Sequence, residues 1–222
     1  LDFFDAQLLA QNVQAGFDSF PLLAVPFFIL AGELMNAGGL SRRIIDLARS
    51  MVGHIPGGLG YVAIAASLML ASMSGSAIAD TAALATLLLP MMRKQNYPDG
   101  SSAGLIASGG IIAPIVPPSM PMVIYGVTTN TSISKLFLAG IVPGILMAVS
   151  LVLVWRGIAR KAQLPVADKS SWSERRQQLA ASVWALMLPV IIIGGLRFGI
   201  FTPTEAAVVA AVALLVHGIL SG

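Results

Sequence analysis

The sequence predicts an all-α polytopic membrane protein, and three observations support that class. Hydrophobic residues make up 56% of the 222 positions and charged residues only 10%, whereas soluble domains have about 25% charged residues. The mean hydropathy is +0.85. Serine, glycine and proline interrupt two of the apolar stretches, which indicates a re-entrant helical hairpin and a broken helix beside ordinary spanning helices.

Composition also excludes several classes of partner and cofactor. The isoelectric point near 9.6 reflects lysines and arginines in cytoplasmic loops, so we expect a lipid bilayer around the chain and no nucleic-acid partner. The sequence has no cysteine, which excludes disulfides and thiolate metal sites. We expect no resident cofactor and no catalytic residues.

Four parts follow one another along the chain. The first part is predicted to contain a short surface helix over residues 1–18. A spanning helix follows, and then an amphipathic helix at the membrane interface. The hairpin and the broken helix form the second, a spanning helix with a basic cytoplasmic connector the third, and further spanning helices the fourth. The predicted parts are 1–58, 59–132, 133–178 and 179–222.

The central stretch, residues 59–92, is read as a re-entrant hairpin. Its two limbs, 59–73 and 77–92, have about 15 residues each, fewer than the ~20 that a spanning helix needs. Ser72-Met73-Ser74-Gly75-Ser76 joins them and is poor helix material. Irregular backbone at membrane depth survives only where protein or a water-filled cavity satisfies its polar groups. The tip is therefore a candidate ion or substrate site.

A second interruption lies in residues 101–127. The run Ala113-Pro114-Ile115-Val116-Pro117-Pro118-Ser119 contains three prolines within five positions. Each proline removes a backbone donor and clashes with the preceding turn, so the helix must break there.

Lysine and arginine predict the orientation. If both ends of the hairpin face the cytoplasm, eleven of the 13 basic residues lie on that side, and only Lys135 and Arg197 lie outside. This asymmetry favours a hairpin that enters from the cytoplasm and an N-terminus on the opposite side.

The two interruptions together suggest a Na⁺ site made of hydroxyl and carbonyl oxygens. Small residues often serve only close helix packing, but a Ser-Gly-Ser tip paired with a Pro-Pro-Ser break favours ion binding. The candidate Na⁺ residues are Ser74, Gly75, Ser76, Gly110, Pro117, Pro118 and Ser119.

Other polar residues are candidates for different roles. Asp80 could hold a cation or substrate or cap the second limb, and Thr128 and Asn130 are further candidates for contact with substrate. Glu33 is an ionisable residue at membrane depth that could instead pair with Arg42 or Arg43. Glu205 fits a capping box with Thr202 better than a ligand role.

Several ordered motifs resemble one transporter family. They are PFFILAGELMNAGGLSRRIIDLA, GSAIADTAALATLLLPMM, SGGIIAPIVPPSMPMVIYG and GIFTPTEAAVVA. Together they look like the large membrane subunit of TRAP transporters (tripartite ATP-independent periplasmic transporters), and the likeness extends from about Pro26 to Ala211.

The resemblance implies a Na⁺-coupled, elevator-type secondary transporter of the bacterial inner membrane. Such a protein imports small organic acids of the dicarboxylate, sialic or sugar-acid type, together with a periplasmic substrate-binding protein and a small four-helix membrane subunit. The family has two inverted repeats, and this chain matches only the first. The first Na⁺ site of the family would map onto the Ser74–Ser76 tip, Gly110 and Pro117–Ser119, and the interfacial helix would be an arm of the scaffold.

Three alternatives remain at this point. A stand-alone Na⁺-coupled or anion permease could share the hairpin architecture. An intramembrane serine hydrolase could use Ser74, Ser76 or Ser119, but it needs a nearby base, and the only histidines, His54 and His217, fall at predicted helix ends. A non-transporting membrane scaffold would tolerate small substitutions at those serines.

Overall fold

The computed structural model describes residues 7, 10, 11, 13, 14, 19–166 and 168–221. Helices connected by turns make up this part of the chain, and it contains no strand. The surface helix expected over residues 1–18 lies mostly outside the described residues, although those described within it are helical and exposed.

Nine helices are numbered here in chain order, after a 3-10 turn at Phe20–Leu23. Their bounds are α1 Ala24–Ala37, α2 Leu40–Val52, α3 Gly58–Ser74, α4 Ala77–Lys94, α5 Asp99–Gly110, α6 Met120–Thr128, α7 Ile133–Lys161, α8 Trp172–Arg197 and α9 Pro203–Ser221.

Within the described residues, three segments are long and apolar enough to cross a bilayer. They are Phe20–Ala37, Ile133–Lys161 and Trp172–Arg197, and the two shorter apolar helices are Gly58–Ser74 and Pro203–Ile219. The helix content and the length and apolar character of these helices confirm the prediction of an all-helical, multi-pass membrane protein.

The two predicted interruptions are present, and the first is shorter than expected. Only Gly75 and Ser76 separate α3 from α4, and within the last turns of α3 the Ser72 hydroxyl donates to the Met69 carbonyl of its own helix (2.7 Å). The second separates α5 from α6 over residues 111–119, which we call the break.

Helices α7 and α8 extend well beyond the predicted spans of 133–155 and 179–196. The basic connector, expected over 156–178, is reduced to residues 162–171. Arginine and lysine are good helix formers although they are not apolar. At the start of α8, the Ser171 hydroxyl accepts from the Glu174 amide (3.1 Å) and caps the helix.

Helix α3 lies at the centre of the packing, against α1, α2, α4, α5, α7 and α8. The amphipathic helix α2 is close to its predicted bounds of 41–53. Its apolar face, including Ile44, Leu47 and Ala48, is buried because α3 and α8 pack on α2. Protein therefore covers most of the face that was expected at the membrane interface.

The start of α3 is anchored by an aromatic pair. The Trp155 indole donates to the Gly57 carbonyl (2.9 Å) and stacks on Tyr97, with ring centroids 6.1 Å apart. The Leu59 amide donates to the Tyr97 hydroxyl (3.4 Å). Burial raises the pKa of the Tyr97 hydroxyl, and this hydrogen bond opposes the shift. The pair ties α3, α7 and the α4–α5 turn together.

The segments that carry most of the basic residues meet at this same end. A polar cavity of about 660 Å³ is lined by α2, the α4–α5 turn and the α7–α8 connector, with Arg49, Gln95 and Lys169 among its residues. Lys135 and Arg197 lie at the opposite ends of α7 and α8. This grouping agrees with the charge asymmetry of the sequence, and which side faces the cytoplasm stays a prediction.

We expect Trp155→Phe to destabilise a full-length permease carrying this chain. The Gly57 carbonyl would keep the Gly60 amide as a donor (3.0 Å) but lose the indole, and one hydrogen bond contributes about 0.5–1.5 kcal/mol to stability. The midpoint of thermal unfolding, followed by circular dichroism in detergent, should fall by about 1–2 °C, because a protein of twice the size shifts by about half of the ~2–4 °C per kcal/mol typical of 150–250 residues. Trp172→Phe, at a residue 74% exposed, is the control. Equal midpoints for the two variants would contradict the anchor.

Candidate ion-binding site

The tip of the α3–α4 hairpin is a tight turn at Gly75 and Ser76. Gly75 adopts φ +60°, a left-handed conformation typical of glycine at a helix C-terminus. The Ser76 amide donates to the Ser74 hydroxyl (3.1 Å). The Ser76 hydroxyl accepts from the Ala79 amide (3.4 Å) and caps α4. Ser76, rather than Asp80, therefore supplies the cap.

Asp80 forms a buried pair with the tip. The Ser74 hydroxyl donates to Asp80 Oδ1 (2.6 Å), and each of the two residues is 1% exposed. The second carboxylate oxygen, Oδ2, is buried without a hydrogen-bond partner. A buried carboxylate oxygen normally needs a donor or a cation, so Asp80 offers an unused hard-oxygen ligand one turn into α4.

In the break, as in the tip, a serine caps the helix that follows. The Ser119 hydroxyl accepts from the Met122 amide (3.4 Å) and caps α6, while it donates to the Pro114 carbonyl. Ser119 is fully buried. The Pro117–Pro118 peptide is cis. The break is thus a folded turn that a side chain holds in place.

The tip and the break are in direct contact. A Cβ built on Gly75 would overlap the Pro118 carbonyl oxygen and would lie 3.4 Å from the Ser119 Cα. At this contact the C-terminus of α3 meets the N-termini of α4 and α6, and α5 ends nearby. Carbonyl groups at helix C-termini favour cations, and amide groups at N-termini favour anions. The arrangement can hold a cation close to a carboxylate.

Glycines on neighbouring helices allow this contact. Gly32 of α1 lies against Ser74, with 3.3 Å between a built Cβ and the Ser74 Cβ. A Cβ on Gly110 would overlap the hydroxyl of Thr81, the residue after Asp80 in α4. Gly140 and Gly144, which are four residues apart in α7, fit this helix against the break, because a Cβ at either position would overlap Ile115 or Val116.

Sequence reasoning did not single out Gly32 as part of the site. The only sequence signal was a glycine within an apolar helix, which is typical of close packing in membranes. The partner of Gly32 lies on a different helix, so the sequence could not identify it.

The remaining predicted site residues lie elsewhere. Thr128 and Asn130 are exposed at the far end of α6, and the Thr128 hydroxyl donates to carbonyls of its own helix. Glu33 is exposed, and the described part of the chain has a single ion pair, Arg93–Asp99. Glu205 forms the expected capping box, in which the Thr202 amide donates to the Glu205 carboxylate (2.7 Å) and the Glu205 amide to the Thr202 hydroxyl (3.3 Å).

Two interrupted helices whose irregular turns meet in the core, beside apolar helices long enough to span a bilayer, are typical of secondary membrane transporters. Comparison with protein families agrees. The family model of the DctM component of tripartite ATP-independent periplasmic transporters matches residues 2–221. The chain belongs to this family, whose members are transporter permeases, so the prediction that it is not an enzyme is confirmed.

Individual relatives differ in the substrate that their names give. The chain is 60% identical over 211 residues to the 2,3-diketo-L-gulonate TRAP transporter large permease protein YiaN of Escherichia coli, covering 95% of this chain and 50% of the relative. It is 48% identical to the sialic acid large permease SiaM of Vibrio cholerae, covering 94% and 49%. It is 43% identical to the C4-dicarboxylate large permease DctM of Pseudomonas aeruginosa, covering 88% and 46%. The chain spans about half the length of these relatives.

We expect Gly75→Ala to disrupt the contact between tip and break. The new methyl group would overlap the Pro118 carbonyl, and a left-handed φ costs a non-glycine residue about 1–2 kcal/mol. The midpoint of thermal unfolding of a full-length permease should fall by several degrees. Gly104→Ala is the matched control, because nothing lies within 4 Å of its built Cβ and alanine favours a helix. A Gly75→Ala midpoint equal to that of Gly104→Ala would contradict the contact.

Proposed function

We propose that the chain is the first half of a Na⁺-coupled large permease that imports small organic acids. The observation that carries the proposal is the buried contact between the hairpin tip and the break. It brings oxygen ligands and helix termini together without any histidine or lysine. Hydroxyl, carbonyl and carboxylate oxygens are the donors that a hard cation prefers.

The depth of the tip supports a re-entrant hairpin. Helix α6 has 9 residues, so Ser119 lies about 14 Å from the outer end of α6 at about 1.5 Å per residue. That is close to half of the ~30 Å hydrocarbon thickness. Because Gly75 contacts the break, the tip would lie near the midplane, and α3 and α4 would enter and leave from the basic end of the molecule.

The proposed Na⁺ site consists of the tip, the break and Asp80. Ser74, Gly75 and Ser119 would supply oxygens, and Asp80 would supply the one negative charge. Bound Na⁺ would satisfy the free Asp80 carboxylate oxygen and hold the tip against the break. A ligand can shift a conformational equilibrium only through different affinities for its states, and ordering the tip provides that difference.

The substrate class follows from chemistry that the named relatives share. Diketogulonate, sialic acid and C4-dicarboxylates all carry a carboxylate, and the N-termini of α4 and α6 would favour such an anion. A periplasmic binding protein would deliver the acid, and a small four-helix membrane subunit would accompany the permease in the inner membrane. An elevator-type movement of the hairpin and the broken helix would carry the acid across.

The second half of the permease would cover the exposed face beside the tip. Ile78 is 85% exposed and Ile111 is 58% exposed, and both line a cavity of about 400 Å³ with small residues of α4 and α5. Protein packed on this face would bury both isoleucines and fill the cavity beside the tip.

Uptake by the full-length permease tests the proposal. The permease would be reconstituted in liposomes with its small subunit and binding protein, and uptake of the delivered acid measured with and without an inward Na⁺ gradient. We expect Asp80→Asn to remove most Na⁺-dependent uptake, because it deletes the charge and keeps the side-chain shape. Asp99→Asn, at an exposed ion pair, should transport as the wild type does.

Uptake by Asp80→Asn with unchanged Na⁺ dependence would refute the proposed ligand. A second substitution, Ser119→Ala, tests the break, with Ser150→Ala as control because the Ser150 hydroxyl only bonds to its own helix. Wild-type uptake without the binding protein would favour a stand-alone permease instead.

A further inference from the structure

A second feature is an apolar groove on the outside of the molecule, away from the ion site. It has a volume of about 700 Å³ and runs between α3, α7 and the α2–α3 connection. Apart from Tyr61 and two arginines, aliphatic residues and one proline line it. Several of these residues are exposed, with Val149 at 48% and Ile145 at 49%. Nothing in the described part of the chain covers the groove.

The two arginines lie at one end of the groove. Arg156 and Arg160 are four residues apart near the C-terminus of α7, which places them on the same helix face. Both line the groove and both are exposed. No carboxylate lines the groove, and the single ion pair of the described residues lies elsewhere, at Arg93 and Asp99. The groove therefore presents unneutralised positive charge above an apolar surface.

The length of the groove matches one leaflet of a bilayer. Ile145 and Arg160 mark its two ends along α7. A rise of about 1.5 Å per residue over the 15 residues from one to the other gives about 22 Å. Half of a bilayer with its headgroup layer measures about 20–22 Å. The arginines would therefore lie at headgroup level and Ile145 near the midplane.

We propose that this groove binds one anionic phospholipid. The phosphate would lie on Arg156 and Arg160, which donate in the fork geometry that suits phosphate oxygens, and an acyl chain would run between α3 and α7. A basic pocket at the end of an apolar cleft between helices is typical of anionic lipid recognition.

Charge and length favour a lipid as the occupant of the groove. An anionic phospholipid carries its negative charge at headgroup level, where Arg156 and Arg160 lie, and its chains reach from there to the midplane, where Ile145 lies.

Lipid retention by the full-length permease tests the proposal without any transport assay. The protein, purified in mild detergent, would be titrated with phosphatidylglycerol or phosphatidylethanolamine of identical chains, and bound lipid counted by native mass spectrometry. Each arginine near a membrane surface contributes about 1 kcal/mol, so R156Q/R160Q should weaken phosphatidylglycerol binding by roughly 30-fold. Phosphatidylethanolamine binding should change little.

Two further variants separate charge from shape. R42Q/K161Q removes the same charge at exposed residues outside the groove lining and should keep phosphatidylglycerol affinity within about twofold of the wild type. V149W fills the groove without changing charge and should also lose the lipid.

Two results would overturn the proposal. One is equal phosphatidylglycerol affinity in R156Q/R160Q and the wild type. The other is a V149W variant that keeps the lipid but loses its small membrane subunit, which would assign the groove to a partner helix.

Discussion

The contact between Gly75 and the Pro118 carbonyl is the constraint on which the rest of the structure depends. Two helices interrupted in their middle leave amide and carbonyl groups without helical partners, and such groups survive at membrane depth only where protein surrounds them. Here Ser76 and Ser119 cap the two outgoing helices, and the two irregular turns bury each other. The interruption of one helix is tolerated because the other is interrupted beside it.

The neighbouring helices are shaped to this contact. Gly32 gives space to Ser74, and the glycines at 140 and 144 let α7 approach the break. At the other end of α3, Trp155 holds Gly57, so the hairpin is fixed at its base as well as at its tip. The carboxyl group of Asp80, with one oxygen bonded to Ser74 and one free, is the single acidic group within this arrangement. A bound cation would complete it.

The sequence predicted the local features of this site and missed those that depend on distant partners. Gly75 and the prolines at 114, 117 and 118 act on their own backbone, so both interruptions were located within a few residues. The helical extensions of α7 and α8 were missed because hydropathy ignores the helix propensity of Arg156 and Arg160. Gly32 and Trp155 were missed because their partners lie far away in the chain, 98 residues for the Trp155 bond. Motif resemblance identified the family, and its Na⁺ site remains an expectation.

Hydrogen exchange in Na⁺ and in K⁺ tests the central claim most directly. A full-length permease would be exchanged in each salt at equal ionic strength, and deuterium uptake compared for peptides covering residues 72–80 and 112–120. If Na⁺ binds where the tip meets the break, both peptides exchange more slowly in Na⁺, and peptides from the outer part of α7 do not change. Equal exchange of both site peptides in the two salts would contradict the assignment of a Na⁺ site to this contact.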